Sequence, residues 1–202
     1  MFYKTDGPHG LPHDPLKSCI VPRPIGWISS VNQAGHVNLA PYSFFNGVSG
    51  APPMVMFSTN GRQPHGAKDT AGNVETTHEF VVNMVNIDLL DAMNTTCAPV
   101  GPDINEADLA GLEMEPSDCV SVPRVKSAPI HLECTYFQTM ELPSNSTDER
   151  NAIIVGHILG VHIQDKYLVD GMVDVEAIRP LARMGYMDYT VIEKVFSQTR
   201  PK

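Results

Sequence analysis

Between Ser58 and Thr70 the chain gathers a serine, an arginine, a lysine and a threonine around a Gly/Pro loop, Thr59–Lys68 (TNGRQPHGAK). A phosphate needs point charges, hydroxyl donors and free backbone N–H groups, and a helix N-terminus flanked by Lys and Arg supplies all three. Ser58 closes an apolar run, Arg62 and Lys68 flank the loop, and Asp69-Thr70 opens a short helical stretch, Ala71–Thr77. The same residues also suit a solvated loop whose cations face water and whose Asp69 caps the helix. No Walker or dinucleotide glycine pattern is present to decide between the two. A second stretch, Asn38–Ser43 (NLAPYS), raises a related question. Pro41 cannot donate to a ladder, so it belongs at an edge, at a bulge, or where pairing stops at a ligand. Ala40 lets a flat molecule approach the backbone, and Tyr42 and Ser43 offer hydroxyls at the same place.

Charge bears on both stretches. From Pro15 to Lys68 there is no Asp or Glu, whereas Lys17, Arg23, Arg62 and Lys68 are present, in a chain whose net charge is −9. Carboxylates repel a bound anion, so their exclusion fits one. A strand-rich, Pro/Gly-rich segment also carries few charges for purely structural reasons. The overall acidity argues against nucleic acid as a partner. No apolar run approaches the roughly 18 residues of a membrane span. The opening MFYKTDGPHGLPHDPLK has no apolar h-region, so a cytoplasmic location is expected. Cys19, Cys97, Cys119 and Cys134 form no CxxC pair and read as reduced core thiols.

Other candidates carry less. His157 and His162 lie in a strand pattern at a spacing that turns them to opposite faces, so a shared metal is not expected, and nothing resembles HExxH. His157, between Gly156 and Ile158, points into a pocket or is a hydrogen-bonded structural histidine. Glu133 and Glu141 share a strand face but lie too far apart for a glycosidase pair. No Ser/His/Asp or Cys/His arrangement can be assigned from order alone.

The elements that must position these residues are mostly strands. Ile25–Val31 (IGWISSV) and Val37–Ala40 flank Asn32–His36 as a hairpin with Gly35 at its bend. Met54–Ser58, Phe80–Val85, Ile130–Glu141 and Ile153–Ile163 read as further strands, with Lys166–Val169 as another candidate. Asn86 can cap a helix through Cys97 with Leu89, Leu90 and Met93 on one face. Short helical pieces fall near Glu106–Ala110 and Asp174–Ile178, the latter broken by Arg179-Pro180. Many short strands with few helices predict a mainly β fold, a closed barrel with peripheral helices in a single domain spanning 1–202.

Taken in order, Arg23-Pro-Ile-Gly-Trp-Ile-Ser-Ser30, Asn38-Leu-Ala-Pro-Tyr-Ser-Phe-Phe-Asn46, Pro52-Pro-Met-Val-Met-Phe-Ser58, Lys68-Asp-Thr70 and Glu79-Phe-Val-Val-Asn83 resemble the flavin reductase-like family of FMN-binding split barrels. Leu109-Ala-Gly-Leu112, Leu132-Glu-Cys134 and Arg179-Pro-Leu-Ala-Arg183 with Gly185 and Tyr189 extend the resemblance from about Lys17 to Phe196. It implies a six-stranded antiparallel, Greek-key split β-barrel with residues 1–16 as an extended N-terminal arm. It further implies a homodimer with FMN near the subunit interface. The isoalloxazine would lie against Asn38, Ala40, Pro41, Tyr42 and Ser43, and the phosphate would be held around Ser58, Arg62, Lys68, Asp69 and Thr70. That places the phosphate reading of the loop above the solvated one. Arg23, Trp27 and Ser29–Ser30 would be wall residues or, equally, core and turn.

Family members use NADH or NADPH as co-substrate, and some supply reduced FMN to a separate monooxygenase. Others are FMN-binding electron carriers or flavin-holding proteins without NAD(P)H turnover, which is the alternative reading. His157 stands at a position often acidic in close relatives and is a candidate substrate contact. Because hydride passes directly from nicotinamide C4 to flavin N5, binding residues are expected and no catalytic acid, base or nucleophile.

Overall fold

The computed structural model describes residues 1–61, 68–101 and 103–201. Seven strands form one antiparallel sheet: β1 (Gly26–Val31), β2 (Val37–Tyr42), β3 (Phe45–Gly50), β4 (Pro53–Thr59), β5 (Glu79–Met84), β6 (Ile130–Leu142) and β7 (Asn151–Ile163). Their order is β2-β1-β5-β6-β7-β4-β3. The strands at the two ends of that order, β2 and β3, are consecutive in the chain and joined only by Ser43 and Phe44. The sheet therefore curls until its edges meet at this corner. Ser58 N donates to Phe44 O at 2.8 Å across the junction. The Phe45 ring reaches across to β1 and occupies the space that a side chain on Gly26 would need, its nearest atom 2.6 Å from where a Cβ would stand.

The six strands expected become seven because Phe45–Gly50 (FNGVSG) pairs with β4. Its Asn, Gly and Ser give no alternation to read, and the strand is an exposed edge. On the inner face Ile28, Val55, Phe57, Phe80, Val82, Cys134 and Ile154 pack together with Ala71 and Val74 of α1 (Asp69–Thr77). On the other side of β1, Trp27 joins Leu39, Val85, Leu89 and Met93, the last from α2 (Leu90–Thr95). β1 is thus buried on both faces, which accounts for the lack of polar alternation in GWISSV. Trp27, Ser29 and Ser30 are fully buried, so of their two readings the core one holds. The Trp27 indole donates to Thr96 Oγ1 at 2.9 Å, and Ser29 Oγ donates to Pro123 O at 2.7 Å.

The helix expected from Asn86 is split into a 3-10 turn, Ile87–Leu89, followed by α2. Near the C-terminus, Arg23–Pro24, Leu181–Arg183 and Tyr189–Val191 form a separate three-stranded sheet, which sets Arg183 opposite both Arg23 and Tyr189. The cysteines are free thiols, but only Cys134 is in the core; Cys19, Cys97 and Cys119 are exposed. Among the described residues no helix is long and apolar enough to cross a membrane.

Closure depends on the Phe45 ring lying over Gly26. Replacement Gly26→Val overpacks that contact and should cost about 1–3 kcal/mol, read as a lowered midpoint in urea unfolding followed by Trp27 fluorescence.

Candidate functional site

β2 is an edge strand, and its outer side explains the proline. Leu39 N points away from β1 and donates to Glu106 Oε2 at 3.0 Å. Pro41, two residues on, faces the same outer side, so its missing N–H removes nothing from the ladder. Burial, the chief cause, raises the Glu106 carboxyl above the usual carboxylate range, against the pull of the Leu39 amide. Behind the strand, Asn38 Nδ2 donates to Thr70 Oγ1 at 2.8 Å, and the Tyr42 hydroxyl also hydrogen-bonds Thr70. Desolvation pushes the Tyr42 phenol well up, so this hydroxyl stays neutral. Asn38 and Thr70 are buried and fasten the start of α1 to β2. α1 begins at Asp69 with Lys68 as its N-cap residue, and because a lysine side chain has no acceptor the side-chain cap expected for the helix is absent.

The front of the corner opens on a cavity of ≈ 330 Å³. Pro41, Tyr42, Ser43 and Phe44 form one wall, and Ser58 and Lys68 stand on the same lining. Four cations line it, namely Lys17, Arg23, Lys68 and Arg183, and no Asp or Glu does among the described residues. A smaller cavity of ≈ 130 Å³ shares Pro41, Tyr42, Lys68 and Cys97, and extends to Ala40 and Glu106.

Arg23 knits the opposite lip to the corner. Only 5% exposed, it donates from Nη1 to the carbonyls of Lys17, Ile20 (2.6 Å) and Met184 (2.9 Å), and from Nε to Ser43 Oγ at 3.4 Å. Burial first, and then the neighbouring Arg183 charge, lower its pKa from the usual arginine value. The two lip segments touch at Gly185, where a Cβ would lie 2.0 Å from Ser18 Oγ, so a side chain there would push them apart.

Of the residues expected at a site, Pro41, Tyr42, Ser43, Ser58 and Lys68 come together on the larger cavity, and Ala40 on the smaller. Asn38 and Thr70 stand behind the wall, and Asp69 lies in the first turn of α1. Arg62 lies outside the described residues. His157 is apart from both cavities, its ring 5.1 Å from that of Phe137 on β6. His162 instead contacts Glu133, and Asp118 completes a trio whose ligand-type atoms lie within 4.8 Å of one another. Glu133 there already accepts from the amides of Asp118 (2.9 Å) and Cys119 (2.5 Å), so it serves to pin that loop to β6. The lining residues not foreseen include Met93, Cys97, Arg183, Tyr186 and Tyr189. Arg183 and Tyr189 were visible as motif residues, without any signal of where their strands would dock.

A flavin reductase like domain model matches residues 18–176. The chain belongs to the flavin reductase-like family. This flavin reductase-like protein is 36% identical over 184 residues to an uncharacterized protein of Aquifex aeolicus, covering 91% of the chain and 89% of that relative. Among solved structures it resembles nitrilotriacetate monooxygenase component B from Bacillus cereus, with TM-score 0.84 and 31% identity over 91% of the chain and 90% of the other. It also resembles the 2-nitrobenzoate 2-nitroreductase of Pseudomonas fluorescens, with TM-score 0.79 and 28% identity over 92% and 88% of the two chains. The matched family region contains the corner, Lys68 and α1, but it begins after Lys17 and ends before Arg183.

Arg23 holds the lip through the carbonyls of Lys17, Ile20 and Met184. Arg23→Met should cost about 1–3 kcal/mol through those unsatisfied acceptors and loosen residues 16–22. Limited trypsin digestion with mass spectrometry should then show faster cleavage after Lys17 than in the wild type.

Proposed function

We propose that the larger cavity binds FMN and that the protein is a flavin reductase drawing on NADH or NADPH. The observation that carries this reading is a wall of Pro41, Tyr42 and Phe44 beside a lining with four cations and no described carboxylate. A flat, partly apolar ring ending in a phosphate has the matching shape and charge, and the family membership agrees. Ala40, Pro41, Tyr42 and Ser43 take the ring edge. Ser58 and Lys68 take the phosphate, and the first turn of α1 (Asp69 and Thr70) contributes through its backbone N–H groups, because a helix N-terminus favours an anion. Asn38 acts from behind by holding Thr70 in place.

When bound, the flavin supplies the hydride-accepting ring. The chain's own contribution is to stack and orient it and to place positive charge where the reduced ring becomes anionic. No side-chain acid, base or nucleophile is required. The proposal extends to a cytoplasmic homodimer of this single FMN-binding domain, with residues 1–16 as an arm. The exposed apolar side chains Phe137, Met140, Leu159 and Val161 on β6 and β7 support a second copy packing there. Delivery of reduced FMN to a separate monooxygenase fits the likeness to a monooxygenase component B.

The deciding experiment mixes FMN-loaded protein with NADH or NADPH under anaerobic conditions. Loss of the absorbance near 450 nm within seconds to minutes supports the reductase. A protein that stays yellow with both nucleotides is an electron carrier or flavin holder instead. Replacing Lys68 with Ala should weaken FMN binding by about 1.5–3 kcal/mol, the scale of a charge-assisted hydrogen bond; unchanged affinity would remove Lys68 from the phosphate seat.

A further inference from the structure

Arg183 sits directly opposite Arg23 in an antiparallel pair, with Tyr189 opposite it on its other side. Like charges placed directly across a ladder destabilise it, so this pairing needs a compensating partner. Arg23 has its own partners, three backbone carbonyls and Ser43 Oγ. Arg183 has fewer: its Nη2 donates to Tyr186 O at 2.6 Å and reaches Met187 Sδ at 3.9 Å, and its guanidinium lies over the Tyr189 ring at 4.5 Å. Lys17 lines the same cavity from the facing lip. Among the described residues neither Arg183 nor Lys17 is paired with a carboxylate. One phosphate seated at Lys68 would leave these two lip cations uncompensated. The Tyr186 carbonyl and the Tyr189 ring hold the guanidinium at the lip, where its remaining N–H donors can meet a planar or tetrahedral anion.

We infer that the lip of the cavity carries a second anion subsite, formed by Arg183 with Lys17, which receives a carboxylate or phosphate of the molecule that exchanges electrons with the flavin. This deepens the proposed function and rests on it for the identity of the first occupant. Lys17 and Arg183 lie on segments that flank the matched region, residues 18–176. The anion docks against Arg183 while the rest of the molecule lies toward the aromatic wall of Phe44 and Tyr186. A neutral compound of the same shape forfeits the charge-assisted bonds.

The test titrates FMN-loaded wild type, Arg183→Gln and Arg183→Lys with sodium benzoate, inorganic phosphate and neutral benzamide, following the bound-flavin spectrum and the heat. Benzoate or phosphate should bind saturably to the wild type, and whichever binds tighter identifies the anion as carboxylate or phosphate. The Gln variant should bind that anion about tenfold or more weakly, with partial recovery in the Lys variant, and FMN affinity should stay within about threefold of wild type. Benzamide should give no saturable signal. Thermal unfolding curves establish that each variant is folded. Equal anion affinity in Arg183→Gln overturns the subsite, as does benzamide binding as well as benzoate. A loss of FMN affinity in Arg183→Gln as large as that in Lys68→Ala also overturns it, because Arg183 would then belong to the flavin phosphate. If wild type takes up no FMN, the flavin reading fails by itself. Benzoate and phosphate titrated calorimetrically into unliganded wild type and Arg183→Gln then decide the subsite.

Discussion

The Phe45 ring crosses the open side of the sheet only because Gly26 has no side chain, and this contact lets two edge strands consecutive in the chain meet at Ser43-Phe44. A curled sheet whose seam is bridged by its own backbone has one place where the ladder pattern must lapse. The lapse falls on Ser43 and Phe44, directly after Pro41 and Tyr42, which still pair with Trp27 and Gly26. Their backbone is secured from behind by Glu106, which accepts from Leu39, and by the Tyr42–Thr70–Asn38 hydrogen bonds. Their front is left facing a cavity. The site is thus a consequence of how the barrel closes.

Electrostatics then decides what the cavity can hold. Like charges crowded in a partly dry pocket repel, and solvent screens them poorly there. Arg23 relieves its share by donating to carbonyls of the lip, which also locks the N-terminal segment and the Leu181–Val191 hairpin onto the corner. Lys68 and Arg183 keep theirs directed at the cavity from separate elements. A binding site for an anion is the arrangement that offsets this repulsion, and a flavin phosphate with an anionic electron partner would offset both ends of it.

Much of this was legible in the sequence. The β1–β2 hairpin, the β4 and β5 runs, the two long strands β6 and β7 and the short α1 all follow from apolar periodicity and turn residues. The acid-free stretch from Pro15 to Lys68 marked the cavity, and three of its four cations are the ones that line it. β3 escaped because an exposed edge strand of Asn, Gly and Ser needs no apolar pattern when its partner supplies the packing. Arg183 and Tyr189 escaped for a topological reason: nothing local in the C-terminal hairpin says that it returns to pair with Arg23. The roles of Asn38 and Thr70 were blurred for a similar reason, since both are polar and near the site, but their partners turned out to be each other. Three cysteines expected in the core are exposed, because a small apolar side chain carries no positional signal by itself.

The central claim is that the corner and Lys68 form a seat for a flavin that ends in a phosphate. Parallel fluorescence-quenching titrations of the unliganded protein with FMN and with riboflavin, which share the ring and differ only in that phosphate, test it most directly. FMN should bind at least about tenfold more tightly than riboflavin, the effect of a charge-assisted phosphate contact. Equal affinities, or no uptake of either flavin, would contradict it.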